Sequence, residues 1–320
     1  MKIEPGKITK LIEQNYTHLM PDFFKMQTEY LASLNMIYND LDASLVAMVL
    51  TSKFYKNVIK NNNGKDNYSI KYFYKVNNCK MPISVYKIKE IASLLNLPRE
   101  TVRRKREKLI NDKLIVLDNK KKFYALNVDL IQENILGIQI DNLSQFLAKF
   151  INHFTKNKIL INETNKEQIK KDIEKKFLLY LTSFLDFQIA YFSKLKTMVD
   201  IESIFIILLC ALNTTSQIRK NNEPMNVRES LSHINIINKT LGLNATSISD
   251  ITKVPRTTVL RKIYYLEKIG ILKKDQFKRY SINDINDMNG YKKILTIINY
   301  NLKILGIFFS QCIENYSTKV

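Results

Sequence analysis

Apolar residues recur along the chain with the three- and four-residue spacing of amphipathic helices. This spacing predicts three helices in the first half and three in the second, at 22–39, 42–58 and 128–154, then at 176–199, 201–218 and 285–315. The sequence contains only seven glycines, which leaves few positions for tight hairpin turns. The predicted fold class is therefore mainly α.

Between these helices lies a basic segment that occurs twice, as PRETVRRKREKL at 98–109 and PRTTVLRKIYYL at 255–266. Seven of the twelve positions are identical. Further upstream, FFKMQTEYL from Phe23 corresponds to FLDFQIAYF from Phe184. The offset is 157 residues for the basic segments and 161 for this stretch, a drift that small loop insertions would produce. Such self-similarity indicates one structural unit, here of roughly 130 residues, that is present twice.

Each basic segment is predicted to be the second of two short helices joined by a tight turn. Residues 82–96 predict the first helix with Ser84 as its N-cap, and Pro98 stands where the next helix opens, a position that needs no N–H. Two short β-branched and aromatic runs around a Lys-rich tip follow, which is typical of a hairpin. Helix, turn, helix and hairpin in this order predict a winged helix-turn-helix.

The predicted architecture is two winged helix-turn-helix units, each a three-helix core with a β-hairpin wing, joined by long interface helices in a pseudo-two-fold arrangement. The domains are an N-terminal extension at 1–21, a first unit at 22–154, a linker at 155–175 and a second unit at 176–320. The apolar residues of the long helices either form an interface between the units or close each unit's own core: Ile135, Leu143, Phe146, Leu147 and Phe150, then Ile294, Ile298, Leu302, Leu305 and Phe309.

The charge balance points to a polyanionic partner. Lys and Arg exceed Asp and Glu by 50 to 30, which gives a formal charge of +20. Nucleic acid and an anionic membrane surface both fit this excess. The longest apolar run, 204–212, is about half the length of a membrane span and predicts a buried helix, so no membrane partner is expected.

Candidate chemistry is sparse. Three cysteines (Cys79, Cys210, Cys312) and three histidines (His18, His153, His233) share no metal-ligand spacing, and no catalytic motif is present. We expect no metal, no cofactor, no disulfide framework and no enzyme activity. The first residues, MKIEPGKITK, lack the apolar core of a signal peptide, which favours a cytoplasmic protein.

Both basic segments resemble the DNA-binding domain of MarR-type bacterial transcription regulators. The matching residues are Ile91, Ala92, Leu97, Arg99, Thr101, Val102, Arg104 and Leu109 in the first unit, and Ile248, Val254, Arg256, Thr258, Val259, Arg261, Leu266, Gly270, Ile271 and Leu272 in the second. The turn glycine of that pattern is replaced by Asn96 and Lys253, and Arg106 stands where the pattern has an aliphatic residue. The resemblance implies a winged-helix fold that binds double-stranded DNA.

A helical period of 3.6 residues places Val102, Arg106 and Leu109 on an inward face and both Arg104 and Arg261 outward. A guanidinium group can bond guanine O6 and N7 in the major groove. Further DNA contacts are predicted for the helix flanks, the first helical turn and the wings: Arg99, Thr101, Arg103, Lys105, Lys108, Lys120, Lys121, Lys122, Arg256, Thr257, Thr258, Lys262, Tyr265, Lys278 and Arg279. Tyr264 and Tyr265 either pack or contact sugar edges.

Regulators of this type are homodimers on palindromic sites, so a duplicated chain predicts a monomeric pseudo-dimer. The expected function is a transcription regulator that binds an imperfect palindrome in double-stranded DNA, in the cytoplasm and associated with the nucleoid. A small-molecule effector is possible, but no residue identifies one. Two alternatives remain: a replication initiator with two winged helices, and a winged-helix chromosome-segregation scaffold without DNA specificity.

Overall fold

The computed structural model describes residues 3–60, 68–77, 83–84, 87–118, 123–126, 133–158, 160, 163–221, 224–237, 242–283 and 291–317. This part of the chain contains fourteen α-helices and five short β-strands, so the fold is mainly helical, as predicted. The helices of the first half are α1 (Pro5–Gln14), α2 (Tyr16–Tyr38), α3 (Leu41–Lys60), α4 (Ile70–Asn77), α5 (Ile88–Leu95), α6 (Arg99–Asn111) and α7 (Glu133–Lys156). Those of the second half are α8 (Lys166–Lys175), α9 (Phe177–Leu195), α10 (Ile201–Asn221), α11 (Val227–Ile237), α12 (Ala245–Thr252), α13 (Arg256–Lys268) and α14 (Tyr291–Ser317). The strands are β1 (Ile83–Ser84), β2 (Ile115–Asp118), β3 (Phe123–Leu126), β4 (Leu272–Lys274) and β5 (Tyr280–Ile282).

The seven helices of the first half recur in the same order in the second half. The repeat is therefore longer than the sequence pattern predicts, because α1 and α8 are also copies of one another. Each has ten residues, and each buries two isoleucines four positions apart, Ile8 and Ile12 in α1 and Ile169 and Ile173 in α8. Helix α1 and the start of α2 therefore lie in the predicted N-terminal extension at 1–21, and α8 forms the second half of the predicted linker at 155–175. Helix α8 is capped by the Asn165 side chain, which accepts the Gln168 N–H at 2.9 Å.

The chain divides into two compact units that do not coincide with the two sequence repeats. Unit 1 contains Met1–Glu4, Asp42–Ser193 and Ile307–Val320, and unit 2 contains Pro5–Leu41 and Lys194–Gly306. Helices α1 and α2 of the first repeat therefore belong to the unit that carries α10 to α13, whereas α8 and nearly all of α9 belong to the unit that carries α3 to α7. This reciprocal exchange differs from the contiguous boundaries 22–154 and 176–320.

Aromatic rings from both repeats fill the core of unit 1. The Phe73 ring contacts the Phe177 ring at 5.1 Å between centroids, so α4 packs on α9. A second cluster joins Phe146, Phe150 and Phe154 of α7 to Phe309 of α14, with the Phe150 and Phe309 rings stacked 4.5 Å apart. These apolar residues of the long helices therefore lie in the core of unit 1.

In unit 2, α2 packs along α10. The Arg219 guanidinium forms an ion pair with Asp22 at 2.8 Å, and the Met225 N–H donates to the Thr17 hydroxyl at 2.9 Å. The apolar run at 204–212 lies in α10, and most of its side chains are buried, as predicted. Gly306 permits close approach of α1, because a Cβ atom there would lie 2.9 Å from the Pro5 carbonyl oxygen.

In both units a short antiparallel pair of strands follows the two short helices, and a segment that precedes those helices pairs with it. In unit 1 the strand order is β1-β3-β2, and in unit 2 β4 pairs with β5, to which Leu243 adds a single bridge at Tyr280. The prediction of Ser84 as a helix N-cap is wrong, because Ser84 lies in β1 and α5 begins at Ile88 with Lys87 as its N-cap. Two residues of strand are too few to give a period-two pattern in the sequence.

Candidate nucleic-acid interface

In unit 1, the turn between α5 and α6 has a left-handed residue at the end of α5. Asn96 has φ 51°, a conformation that asparagine tolerates better than most residues. Its side-chain amide donates to the Ser193 carbonyl at 2.9 Å, and the Ser193 hydroxyl donates to the Leu94 carbonyl at 2.5 Å. The end of α9 thus holds this turn, and α6 begins at Arg99, directly after Pro98.

The corresponding turn in unit 2 has the same geometry. Lys253 ends α12 with φ 58° and Pro255 precedes α13. The side-chain amide of Asn35, near the end of α2, donates to the Thr252 carbonyl at 3.0 Å. Within each unit, the turn is therefore held by the second helix of the other sequence repeat.

The inward faces of α6 and α13 follow the predicted periodicity. Val102 and Leu109 are buried in α6, and Val259, Ile263 and Leu266 are buried in α13. Arg106, the counterpart of Ile263, is half-buried, so α6 has a weaker apolar anchor at this position.

On the outward face of α6, Arg99 and Arg104 are exposed, as predicted. Two other cations of α6, Arg103 and Lys108, form ion pairs with acidic residues three or four positions away in the sequence. The Arg103 guanidinium lies 2.7 Å from Glu100, and its hydrogen bond holds the pKa of that carboxyl below the ordinary value. Lys108 lies 2.6 Å from Asp112. Thr101 and Lys105 are half-buried.

On the outward face of α13, Arg256, Thr257 and Arg261 are exposed, and Thr258 is half-buried. No ion pair of Arg256 or Arg261 is found among the described residues. Tyr264 and Tyr265 are exposed as well, so neither packs in the core of unit 2, and their contact with sugar edges stays a prediction.

Lys262 is placed differently from the other predicted contact residues of α13. Its ammonium group forms ion pairs with Asp200 at 2.7 Å and Glu202 at 3.3 Å, at the beginning of α10, and only 16 % of its side chain is exposed. Burial alone would raise the pKa of Asp200, but the hydrogen bonds from Lys262 and Ser203 lower it below its ordinary value. The charge of Lys262 therefore fixes α13 to α10 within unit 2.

The β4–β5 hairpin has a constrained tip. The Asp275 carboxylate accepts the Phe277 and Arg279 N–H groups at 2.8 and 2.9 Å and pairs with the Arg279 guanidinium at 2.7 Å. Desolvation opposes the effect, yet these hydrogen bonds hold the pKa of Asp275 below its ordinary value. The Arg279 guanidinium lies 5.0 Å from the centre of the Phe277 ring, and Lys278 is exposed with φ 58°. The predicted contacts Lys120, Lys121 and Lys122 of the other hairpin lie outside the described residues.

Leu260 is exposed on the outward face of α13, where the helical period predicts it, whereas sequence reasoning missed two other exposed apolar side chains around this surface, Ile251 and Phe277. A signal for Leu260 exists in the alignment of the repeats, because it replaces Arg103 at an outward position. Phe277 stands between Asp275 and two cations, where an apolar residue at a hairpin tip is unusual.

The cysteine and histidine side chains that the structure describes are buried or half-buried. Burial raises the pKa of the Cys210 thiol to about 12, and burial also raises the pKa of Cys312, so neither is an activated nucleophile. His18 and His153 are half-buried, whereas Cys79 and the His233 side chain lie outside the described residues. Within the described ranges, no group of three or more His, Cys, Asp or Glu side chains could hold a metal ion.

Two helical stretches are long and apolar enough to cross a membrane by length and composition alone, Ile201–Lys220 and Ile294–Tyr316. Core helices of globular proteins pass the same test, and 67 % of the first window is buried inside the fold.

Comparison with known proteins finds no protein-family model, no curated protein and no solved structure that matches this chain.

Proposed function

We propose that this protein is a sequence-specific transcription regulator that binds double-stranded DNA through two winged helix-turn-helix units. In this proposal, α6 and α13 are the recognition helices and the β2–β3 and β4–β5 hairpins are the wings. The observation that carries the proposal is the outward exposure of Arg104 in α6 and of Arg261 at the equivalent position of α13. Each helix buries the equivalent opposite face within its own unit.

The excess positive charge supports a polyanionic ligand, and the placement of exposed arginines favours duplex DNA. An α-helix fits the major groove, and arginine bonds guanine there through two hydrogen bonds. Arg104 and Arg261 would contact bases, while Arg99 and Arg256, at the first position of each helix, would hold phosphates. Lys278, at the constrained hairpin tip, would reach a phosphate beside the groove.

Duplication within one chain supports a monomeric protein that binds an imperfect palindrome. A regulator of this kind would act in the cytoplasm, associated with the nucleoid. In the outward faces, Glu100, Arg103, Glu107 and Lys108 of α6 correspond to Thr257, Leu260, Tyr264 and Tyr265 of α13. Two different contact surfaces favour two different half-sites. Mapping of bound sites on the genome separates this function from its alternatives: promoters support a regulator, and clustered repeats at an origin support an initiator.

The decisive experiment selects bound sequences from a random DNA pool and measures their affinity by fluorescence anisotropy at increasing salt. A protein that makes six to ten phosphate contacts loses roughly three to five decades of affinity between 50 and 200 mM salt. We expect Arg104→Ala with Arg261→Ala to lower affinity for the selected site by roughly 25-fold or more, because each bidentate contact to guanine contributes about 1–3 kcal/mol of discrimination.

A matched control removes two other cations from equivalent positions of the repeat. Lys10 in α1 and Lys171 in α8 are exposed and occupy the same position in the two copies. Lys10→Ala with Lys171→Ala changes the net charge by the same amount. It should leave the selected-site affinity within roughly threefold, since nonspecific attraction arises from many cations and this variant removes only two of them. Equal losses in both double variants, or the same affinity for every DNA sequence, would contradict the proposal.

A further inference from the structure

Exposed apolar side chains concentrate on the helix-turn-helix and hairpin of unit 2. Among the described residues of this segment, five large apolar side chains are solvent-exposed: Ile251 (46 %), Leu260 (38 %), Tyr264 (71 %), Tyr265 (43 %) and Phe277 (64 %). Over α5 and α6 of unit 1, Leu94 is the one counterpart in the described part of the chain. Contiguous exposed apolar groups on a folded protein commonly mark a binding surface.

The difference arises from substitutions at the outward positions of the recognition helix. Leu260, Tyr264 and Tyr265 stand where α6 has Arg103, Glu107 and Lys108. Leu260 and Tyr264 are four residues apart on α13, as are Arg261 and Tyr265, so these four side chains form one continuous helical face.

The α6 face has a different chemical character. Arg103 and Lys108 are neutralised locally by Glu100 and Asp112, at 2.7 and 2.6 Å, which leaves Arg104 and Arg99 as its exposed cations without an ion pair among the described residues. Charged groups paired in this way offer few contacts to an apolar ligand. The α13 face instead combines apolar side chains with exposed cations.

Thymine presents the apolar group in the major groove, its C5 methyl, and apolar side chains contact it directly. Arg256 lies at the start of the same helix, where it would hold a phosphate beside the groove, and Arg261 lies within the face, where it would bond a guanine next to the thymines. This charge complementarity favours DNA over an apolar protein partner as the occupant of the face.

We infer that α13 recognises thymine methyl groups through Leu260, Tyr264 and Tyr265, so that the half-site of unit 2 is thymine-rich. The half-site of unit 1 is recognised through Arg104 and through phosphate contacts, with little dependence on methyl groups. The inference rests on the proposed function and adds the base class that one of the two recognition helices selects.

The test replaces thymidine by deoxyuridine in one half of the selected site at a time. This substitution removes only the methyl group and leaves the phosphates and the Watson–Crick pairing in place. The half contacted by unit 2 is identified as the half whose base changes no longer matter to the Arg261→Ala protein. Deoxyuridine in that half should weaken binding by roughly fourfold per contacted methyl, as expected from the transfer of one apolar carbon from water.

Protein variants measured on both thymine DNA and deoxyuridine DNA form a double-mutant cycle. Leu260→Ala and Tyr264→Ala remove exposed side chains, so the fold should be retained, and each should bind thymine DNA more weakly while losing sensitivity to deoxyuridine. Leu94→Ala, which removes an exposed leucine from α5 of unit 1, is the matched control and should keep full sensitivity.

The outcomes separate the inference from the function on which it rests. Salt-dependent, sequence-specific binding with no deoxyuridine effect in the unit 2 half, or with equal effects in both halves, would overturn the inference and leave the proposed function standing. Selected sites without thymine in that half would overturn it as well. Absence of any specific DNA binding would overturn both.

Discussion

The exchange of helices between the two repeats predicts that neither half of the chain folds by itself as a monomer. A cut after Lys158, in the exposed turn that follows α7, separates the repeats into fragments 1–158 and 159–320. Fragment 1–158 would then retain α3 to α7 without α8 and α9, and fragment 159–320 would retain α10 to α13 without α1 and α2.

The size of the loss follows from the side chains that the exchanged helices bury. Nine large apolar side chains of α2 and nine of α9 are buried. At about 1.5–3 kcal/mol for each buried side chain, either helix contributes about 14–27 kcal/mol relative to exposure in water. Even when this is reduced by about 10–40 % for a compact unfolded chain, the loss matches or exceeds the typical stability of about 5–15 kcal/mol for a whole protein.

The assay introduces a protease site after Lys158 and compares the uncut and cut proteins. Under native conditions the cut protein should elute as one species of the uncut size with unchanged helical circular dichroism. After unfolding and separation, each dilute fragment should lack a cooperative unfolding transition, and mixing the two should restore it.

The uncut protein with the same inserted site is the control for the insertion itself. A fragment that folds only as a dimer would keep the exchange, with a second copy supplying the missing helices. A single fragment that is monomeric, helical and cooperatively unfolding would refute the reasoning, because its unit would then need no helix from the other repeat.

Three further predictions concern unit 2. Lys253→Gly should raise the free energy of unfolding by about 0.5–1 kcal/mol in urea titrations, because a left-handed lysine costs more than the added backbone freedom of glycine, and a decrease would contradict this. Gln27→Met should also stabilise, by about 1–3 kcal/mol, because the buried Gln27 amide has no hydrogen-bond partner among the described residues; an unchanged midpoint would indicate a bound water. Asp200→Asn should be less stable than the wild type at pH 7. The difference should begin to shrink as pH falls towards the ordinary aspartate pKa of about 3.9 and should disappear only below the folded-state pKa of Asp200, which is lowered. A difference that stays constant down to acid pH would contradict the role of the Lys262 ion pair.

Periodicity was sufficient to predict the parts of the fold that bury a regular apolar face. Val102 and Leu109, with Val259 and Leu266, recur at helical spacing, so the sequence alone indicates which sides of α6 and α13 point outward. The same period does not predict helix α8, because its two buried residues, Ile169 and Ile173, stand among charged neighbours. Such a segment looks like a solvated linker.

The contacts that distinguish the two candidate surfaces depend on partners distant in sequence. Lys262 looks like a phosphate contact until Asp200 and Glu202, about sixty positions earlier, are brought beside it by α10. The exchange of helices is also invisible locally, since α2 and α9 carry similar apolar patterns in the sequence, and the pattern does not indicate which unit each helix packs in. Similar patterns in the two repeats therefore predict the elements but not their pairing.

The exchange gives a physical reason for keeping α6 and α13 in one chain. Asn35 of α2 bonds the turn before α13, and Ser193 of α9 bonds the turn before α6, so each turn is positioned by the other repeat. Loss of α2 or α9 would expose the core that the helix covers and would also remove the hydrogen bond that positions a turn. The folding of the two halves is therefore interdependent. The outward positions of Arg103, Glu107, Leu260 and Tyr264 are exposed and lie outside the buried cores of the units. Arg103 and Leu260, or Glu107 and Tyr264, can therefore differ without cost to the fold, and a surface free to diverge is the one through which the two units would acquire different DNA half-sites.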